Sequence, residues 1–283
     1  MTDQLSDISA RIDGIRQLGT VVNAMKGIAA ARVRTALTQV DAVDNYSDII
    51  AGAMSRALVM ETSSGSPLAT DTVNEKNGIL VFCAEQGFAG PFTERVLDSI
   101  EDLPRAANVL LIGTRGLSIA HSRGIDPIWN AAMPSQSASI PKLSDQIAQK
   151  VLDLVGTGQV TTMEVIYTSI VGGGLHLVRR GLFPLDFTAF PANDSNGPLT
   201  QLPSDQLLNS LSEEYLHARI CKSTLHAFAS ENQARMVAMS SAYSQIKEEL
   251  DQFQATLRRV RQEAITAEII ELGTGTKLAQ AFS

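Results

Sequence analysis

The stretch MVAMSSAYSQIKEELDQFQATLRRVRQEAITA, residues 236–267, decides the fold. Its apolar residues fall on Met236, Met239, Tyr243, Ile246, Leu250, Phe253, Leu257, Val260, Ala264 and Ala267, at alternating spacings of three and four. That is an a/d seam over about four heptads, the pattern that makes helices supercoil left-handedly around a partner. Neither proline nor glycine occurs between Pro203 and Gly273, so one helix is allowed throughout. A helix of about 65 residues would measure on the order of 100 Å at about 1.5 Å per residue, which predicts a rod rather than a globular core element.

A rod with one apolar stripe needs a second strand, and the other end of the chain offers it. Leu5, Ile8, Ile12, Ile15, Gly19, Val22, Lys26, Ala29, Val33, Ala36, Val40, Val43, Ser47, Ile50 and Met54 repeat the spacing, broken only by Gly19, Lys26 and Ser47. Leu18, Val21, Met25 and Ile28 widen the stripe, as if to serve a further surface. The expected architecture is a long antiparallel coiled coil of the two terminal helices plus a small central α/β domain with a mostly parallel sheet. The expected boundaries are 1–60 for the first helix, 61–203 for the central domain and linkers, and 204–283 for the last helix.

Between the helices the periodicity changes. Residues 61–77 read as a polar linker. Gly78 to Cys83 is a continuous apolar run and reads as a strand buried on both faces. A loop, Glu85-Gln86-Gly87-Phe88-Ala89-Gly90, leads to a helix at 91–100 with Pro91 in its first turn. A second strand is expected at 109–113, a helix at 114–122, a loop at 127–141, a helix at 142–155 and strands at 163–167 and 175–185. Gly172–Gly174 reads as a hairpin or bulge, and 186–203 as a connector.

Composition bounds the chemistry. A net charge of −7 and 5% aromatics argue against nucleic acid, which calls for concentrated positive charge and stacking surfaces. Cys83 and Cys221 read as buried thiols of a reducing compartment. Asp3, Asp7 and Asp13 interrupt any apolar leader, and no run approaches 18 apolar residues, so a soluble, cytoplasmic chain without a secretory signal is expected. The loop at 85–90 lies where doubly wound folds hold nucleotides, yet it is not G-x-G-x-x-G, and no phosphate-loop motif occurs. His121, His176, His217 and His226 lack metal spacing. Arg258, Arg259 and Arg261 are either a solvated face or a contact for an acidic partner. No catalytic, cofactor or metal site is expected.

Both ends resemble a known family. Arg11-Ile12, Ala24-Met25-Lys26, Ala29-Ala30 and Arg32-Val33-Arg34 resemble the opening helix of the gamma subunit of F-type ATP synthases. Ala229-Ser230-Glu231, Ala234 to Met239 and Arg261 to Ile269 resemble its closing helix, and Glu85 to Gly90 is similar to its aspartate-x-glycine-leucine-cysteine-glycine loop. The resemblance implies a non-catalytic rotor shaft that couples ion flow through a membrane ring to ATP synthesis or hydrolysis in an alpha/beta hexamer. The implied partners are alpha, beta, epsilon and the c-ring, at the cytoplasmic face of the plasma (inner) membrane. Carried over by position, Met25, Arg261, Gln262 and Thr266 contact beta, while Glu85, Gln86, Gly87, Tyr215 and His217 belong to the foot, at the epsilon or ring contact. The chain departs from the family at Gly19, Thr20, Val22 and Asn23, where lysines are usual, and at Ala89 and Arg258. Leu18, Val21-Val22, Met25-Lys26 and Phe82 with Glu85–Gly87 resemble the divergent gamma of N-type ATPase operons, which leaves protons and sodium ions both open. The other readings are a free coiled-coil adaptor with a ligand-binding α/β head and a nucleotide-dependent enzyme.

Overall fold

The computed structural model describes residues 2–62, 76–101, 108–186 and 200–281. The expected linker at 61–77 and connector at 186–203 lie mostly outside them. Two helices dominate: α1 spans Thr2–Thr62 and α5 spans Ser204–Ala281, so α5 continues through Gly273 and Gly275. Contacts divide the chain into two units, one of residues 1–28 with 236–283 and one of residues 29–235, and both helices contribute to each.

In the first unit the helices pair as the seam requires. Ile12, Val22, Met239 and Val260 are buried. Lys26 lies over the Tyr243 ring at 5.4 Å, and a Cβ on Gly19 would stand 3.2 Å from Ile246. Ile15 and Leu18 line one hollow with Glu249 and Phe253. Partners on α5 rise in number as those on α1 fall, so the pair is antiparallel. Two of the three breaks in the seam thus have physical reasons. Gly19 leaves room for the Ile246 side chain, and Lys26 lies over an aromatic face.

The second unit is built on a five-stranded sheet of order β3-β2-β1-β4-β5, with β1 Asn77–Phe82, β2 Asn108–Ile112, β3 Trp129–Ala131, β4 Thr162–Val171 and β5 Gly174–Phe183. The first four are parallel and β5 runs antiparallel to β4. Period-two alternation divides β1 between two layers. Leu80 and Phe82 face a core shared with α4 (Ile140–Gly156), α1 and α5. Ile79, Val81 and Cys83 face α2 (Phe92–Asp98) and α3 (Thr114–Ser122). Both faces are covered, which is why the strand reads as an unbroken apolar run. The β4–β5 turn uses Gly172 at φ 58° and Gly173 at φ 81°, the two left-handed positions of a type I′ hairpin.

Three sequence expectations need correction. Pro91 is the N-cap of α2, one position before the helix proper. The loop expected over 127–141 contains β3, whose three residues pair with Leu110–Ile112; so short an edge strand has no periodicity to read. The helix expected at 142 begins at Ile140, with Pro141 in its first turn, where a missing N–H costs nothing.

Candidate functional sites on the helix pair and the loop after the first strand

Where α5 lies against the sheet its sequence does not look like a coiled coil. From Leu216 to Arg235 it is buried on most sides, because α1, α4 and the sheet surround it. Polar groups trapped there must be satisfied locally. Glu231, Asn232 and Arg235 are 3%, 2% and 4% exposed. The amides of Glu85 and Gln86 donate to the two Glu231 carboxylate oxygens at 3.2 and 3.1 Å. Arg235 pairs with Glu231, donates through Nε to Gly87 O at 3.2 Å, and donates through Nη2 to Gln86 O at 3.3 Å. Its Nη1 donates to Asn232 Oδ1 at 3.1 Å.

The loop passes the network onward. Glu85 accepts from the Thr114 amide at 2.9 Å and the Thr114 hydroxyl at 2.8 Å, placing a carboxylate at the N-terminus of α3, where the helix dipole favours it. It also accepts from the Met133 amide, just beyond β3, at 2.9 Å. In a doubly wound fold a phosphate would occupy such a helix terminus; here the chain's own carboxylate holds it. Next to the loop, the Cys83 thiol is pushed up to about 12 by burial first and then by Glu231 and Glu94, so at neutral pH it remains an unreactive thiol. Cys221 is also a buried free thiol.

Two histidines on α5 sit in packing positions. His217 Nε2 lies 3.0 Å from Asp145 Oδ1 of α4, although the two are not aligned as a hydrogen bond. His226 stacks on Tyr167 of β4, with ring centroids 5.7 Å apart, and its Nδ1 lies 3.2 Å from Ser169 Oγ. Burial first, then Lys222 and also Arg180, hold His226 below its ordinary 6.5, while Asp44 pulls the other way. The unfolded chain therefore takes up this proton near pH 6.5 while the folded chain refuses it until lower pH. Stability contributed by neutral His226 is lost as pH falls below about 6.5. His226→Gln should flatten the fall in urea-unfolding midpoint between about pH 7.5 and 5.5; parallel profiles for the two proteins would refute the assignment.

The remaining expected site residues separate into distinct places. Met25 is half-buried on α1, flanked by exposed Leu18, Val21 and Ile28. Arg261 and Gln262 are exposed on α5, and Thr266 turns its hydroxyl back to Gln262 O at 2.9 Å. Lys26 faces Tyr243, so Met25 and Arg261 stand roughly 27 Å apart along the pair, at about 1.5 Å per residue. Tyr215 packs with Ile50, Met54, Leu185 and Ala218, and Arg219 lies over its ring at 5.8 Å. It and His217 lie roughly 20–25 Å along α5 from Glu231, so Glu85–Gly87 do not join them in one site. Among the described residues no group of three or more His, Cys, Asp or Glu could hold a metal, and no helix is long and apolar enough to cross a membrane.

Sequence reasoning missed Glu231 and Arg235 as working residues. Their signal is an acid and a base four apart, on one face of the helix. Comparison with known proteins agrees with the architecture. The family model described as ATP synthase matches residues 4–277. The ATP synthase gamma chain of Heliobacterium modesticaldum is 27% identical, covering 96% of this chain and 97% of that protein. The gamma chain of Moorella thermoacetica is 24% identical with the same coverage. Among solved structures, the rotor of Euglena gracilis mitochondrial ATP synthase aligns with a TM-score of 0.64 over 94% of this chain and all of that one, at 14% identity. With a family model spanning nearly its whole length and gamma chains as its curated relatives, the chain belongs to the ATP synthase gamma-chain family.

Proposed function

We propose that this chain is the central rotor shaft of a rotary F-type ATP synthase, a peripheral, non-catalytic subunit that couples ion flow to ATP synthesis or hydrolysis. The observation that carries this reading is the helix pair of the first unit. Its seam is closed by Ile12, Val22, Met239 and Val260, while Leu18, Val21, Ile28, Val237, Ile265 and Ile269 remain exposed. Apolar residues left on the outside of a stiff pair suit a surrounding protein surface. A shaft needs stiffness and a different contact on each side, because rotation changes which catalytic subunit meets which face and so shifts its conformational populations.

Alpha and beta subunits form the surrounding hexamer, and epsilon and the c-ring meet the foot. Met25, Arg261, Gln262 and Thr266 contact beta. Gln86, Gly87, Tyr215 and His217 contribute at the foot, and Glu85 acts by shaping its loop, since Thr114 and Met133 already take its carboxylate. The complex lies at the cytoplasmic face of the plasma membrane. A tagged chain drawn from its native host should bring alpha and beta chains and ATPase activity with it. Recovery of the chain alone would overturn the rotor reading in favour of an adaptor.

A further inference from the structure

We propose that Glu231 and Arg235 form a latch through which twisting load on α5 enters the sheet, and that this latch limits slip under load; the proposal rests on the rotor reading. The pair occupies the last turn of α5 before the chain passes from the second unit to the first at residues 235 and 236. Elsewhere α5 meets this unit through apolar side chains such as Ile220, Leu225 and Phe228 and through scattered single polar links. These are Arg219 to Gly181 O of β5, Lys222 with Asp44 of α1, the Tyr46 hydroxyl to Glu214, and Ser230 Oγ to Thr168 O at 2.8 Å. Apolar contact is non-directional and permits sliding. Charge-assisted hydrogen bonds fix orientation.

The latch concentrates such bonds on one loop. Glu231 takes two successive backbone amides, and Arg235 gives to two successive carbonyls. Every group gripped is backbone, so the loop cannot escape by a side-chain rotation. From there Glu85 carries the connection to the start of α3 and to the segment after β3. The loop is also held in a costly shape: Phe88 has φ 64° and is 66% exposed. A non-glycine residue keeps that conformation only where its surroundings over-determine it. Ala89 and Phe92 pack with Ala234, one residue before the arginine. The strain at Phe88 and the grip of α5 therefore belong to one structure.

The test uses the assembled complex in membrane vesicles carrying wild type, Glu231→Gln or Arg235→Lys. ATP hydrolysis and the dye-reported membrane potential are measured with and without an opposing ion gradient. The glutamine keeps the shape and loses the charge; the lysine keeps the charge and loses the fork that reaches two carbonyls. Ion uptake per ATP should stay close to wild type without a gradient and fall about threefold or more against one, since charge-assisted bonds have been lost. In the free full chain, hydrogen exchange at the Glu85 and Gln86 amides should accelerate in Glu231→Gln while β1 amides hold.

Equal load dependence in all three complexes would overturn the latch. So would failure of both variants to assemble where wild type assembles, because the pair would then serve folding alone. Failure of the wild type to assemble with alpha and beta would instead remove the rotor reading, so the two failures are distinguishable.

Discussion

Gly113→Ala should cost the α/β unit more stability than most single substitutions at its surface. Gly113 follows β2 with φ 111° and donates its amide to Ala131 O at 2.9 Å. An added Cβ would stand 2.5 Å from Cys83 O and 2.8 Å from Ala84 O. Both obstacles are backbone, so neither can turn away. The dihedral alone costs about 1–3 kcal/mol in a residue with a side chain, and displacing the end of β1 adds to it. A total near 4 kcal/mol is in the exceptional range for one substitution. For a unit of this size it lowers the melting midpoint by roughly 8–16 °C. Thermal denaturation followed by circular dichroism checks this, and a shift under about 3 °C would show that β1 can yield.

The second large effect is functional. Arg261→Ala with Gln262→Ala should lower ATP turnover of the assembled complex by about tenfold or more, if Arg261 makes a charge-assisted hydrogen bond to beta worth roughly 1.5–3 kcal/mol and Gln262 a neutral one worth roughly 0.5–1.5 kcal/mol. Both side chains are exposed in the chain itself, so the free protein should keep its helicity and melting point. Turnover equal to wild type would remove these residues from the contact. The basic cluster would then be a solvated face.

The two outcomes separate what the sequence discloses from what it hides. The heptads of α1 and α5 were legible because a stripe at three-and-four spacing has one physical use, and Ala36, Met54 and Met239 lie buried on it as expected. Strand β1 was legible because a strand covered on both faces must be apolar throughout. Strand β3 was not, since Trp129–Ala131 owes its pairing to β2 and to nothing in its own pattern. The loop at Glu85–Gly87 was visible as a place, but its content was not. Nothing local to residues 85–87 says that their amides and carbonyls are met by a carboxylate and a guanidinium some 145 residues further on. Contacts between Glu231 and that loop belong to tertiary structure, and they displace the propensities that govern short segments.

Legibility also fails where one residue serves two ends. Gly19 and Lys26 looked like defects in a seam, yet each fits its neighbour across the pair, Ile246 in one case and Tyr243 in the other. His226 resembled any helix histidine until Tyr167 and Ser169 were placed against it.

Direct observation of rotation tests the central claim. An alpha/beta hexamer holding this chain is fixed to a surface, a reporter is attached to the α/β unit, and ATP is supplied. Unidirectional rotation that requires ATP is the expected result. Sustained ATP hydrolysis with a stationary reporter would contradict the shaft role.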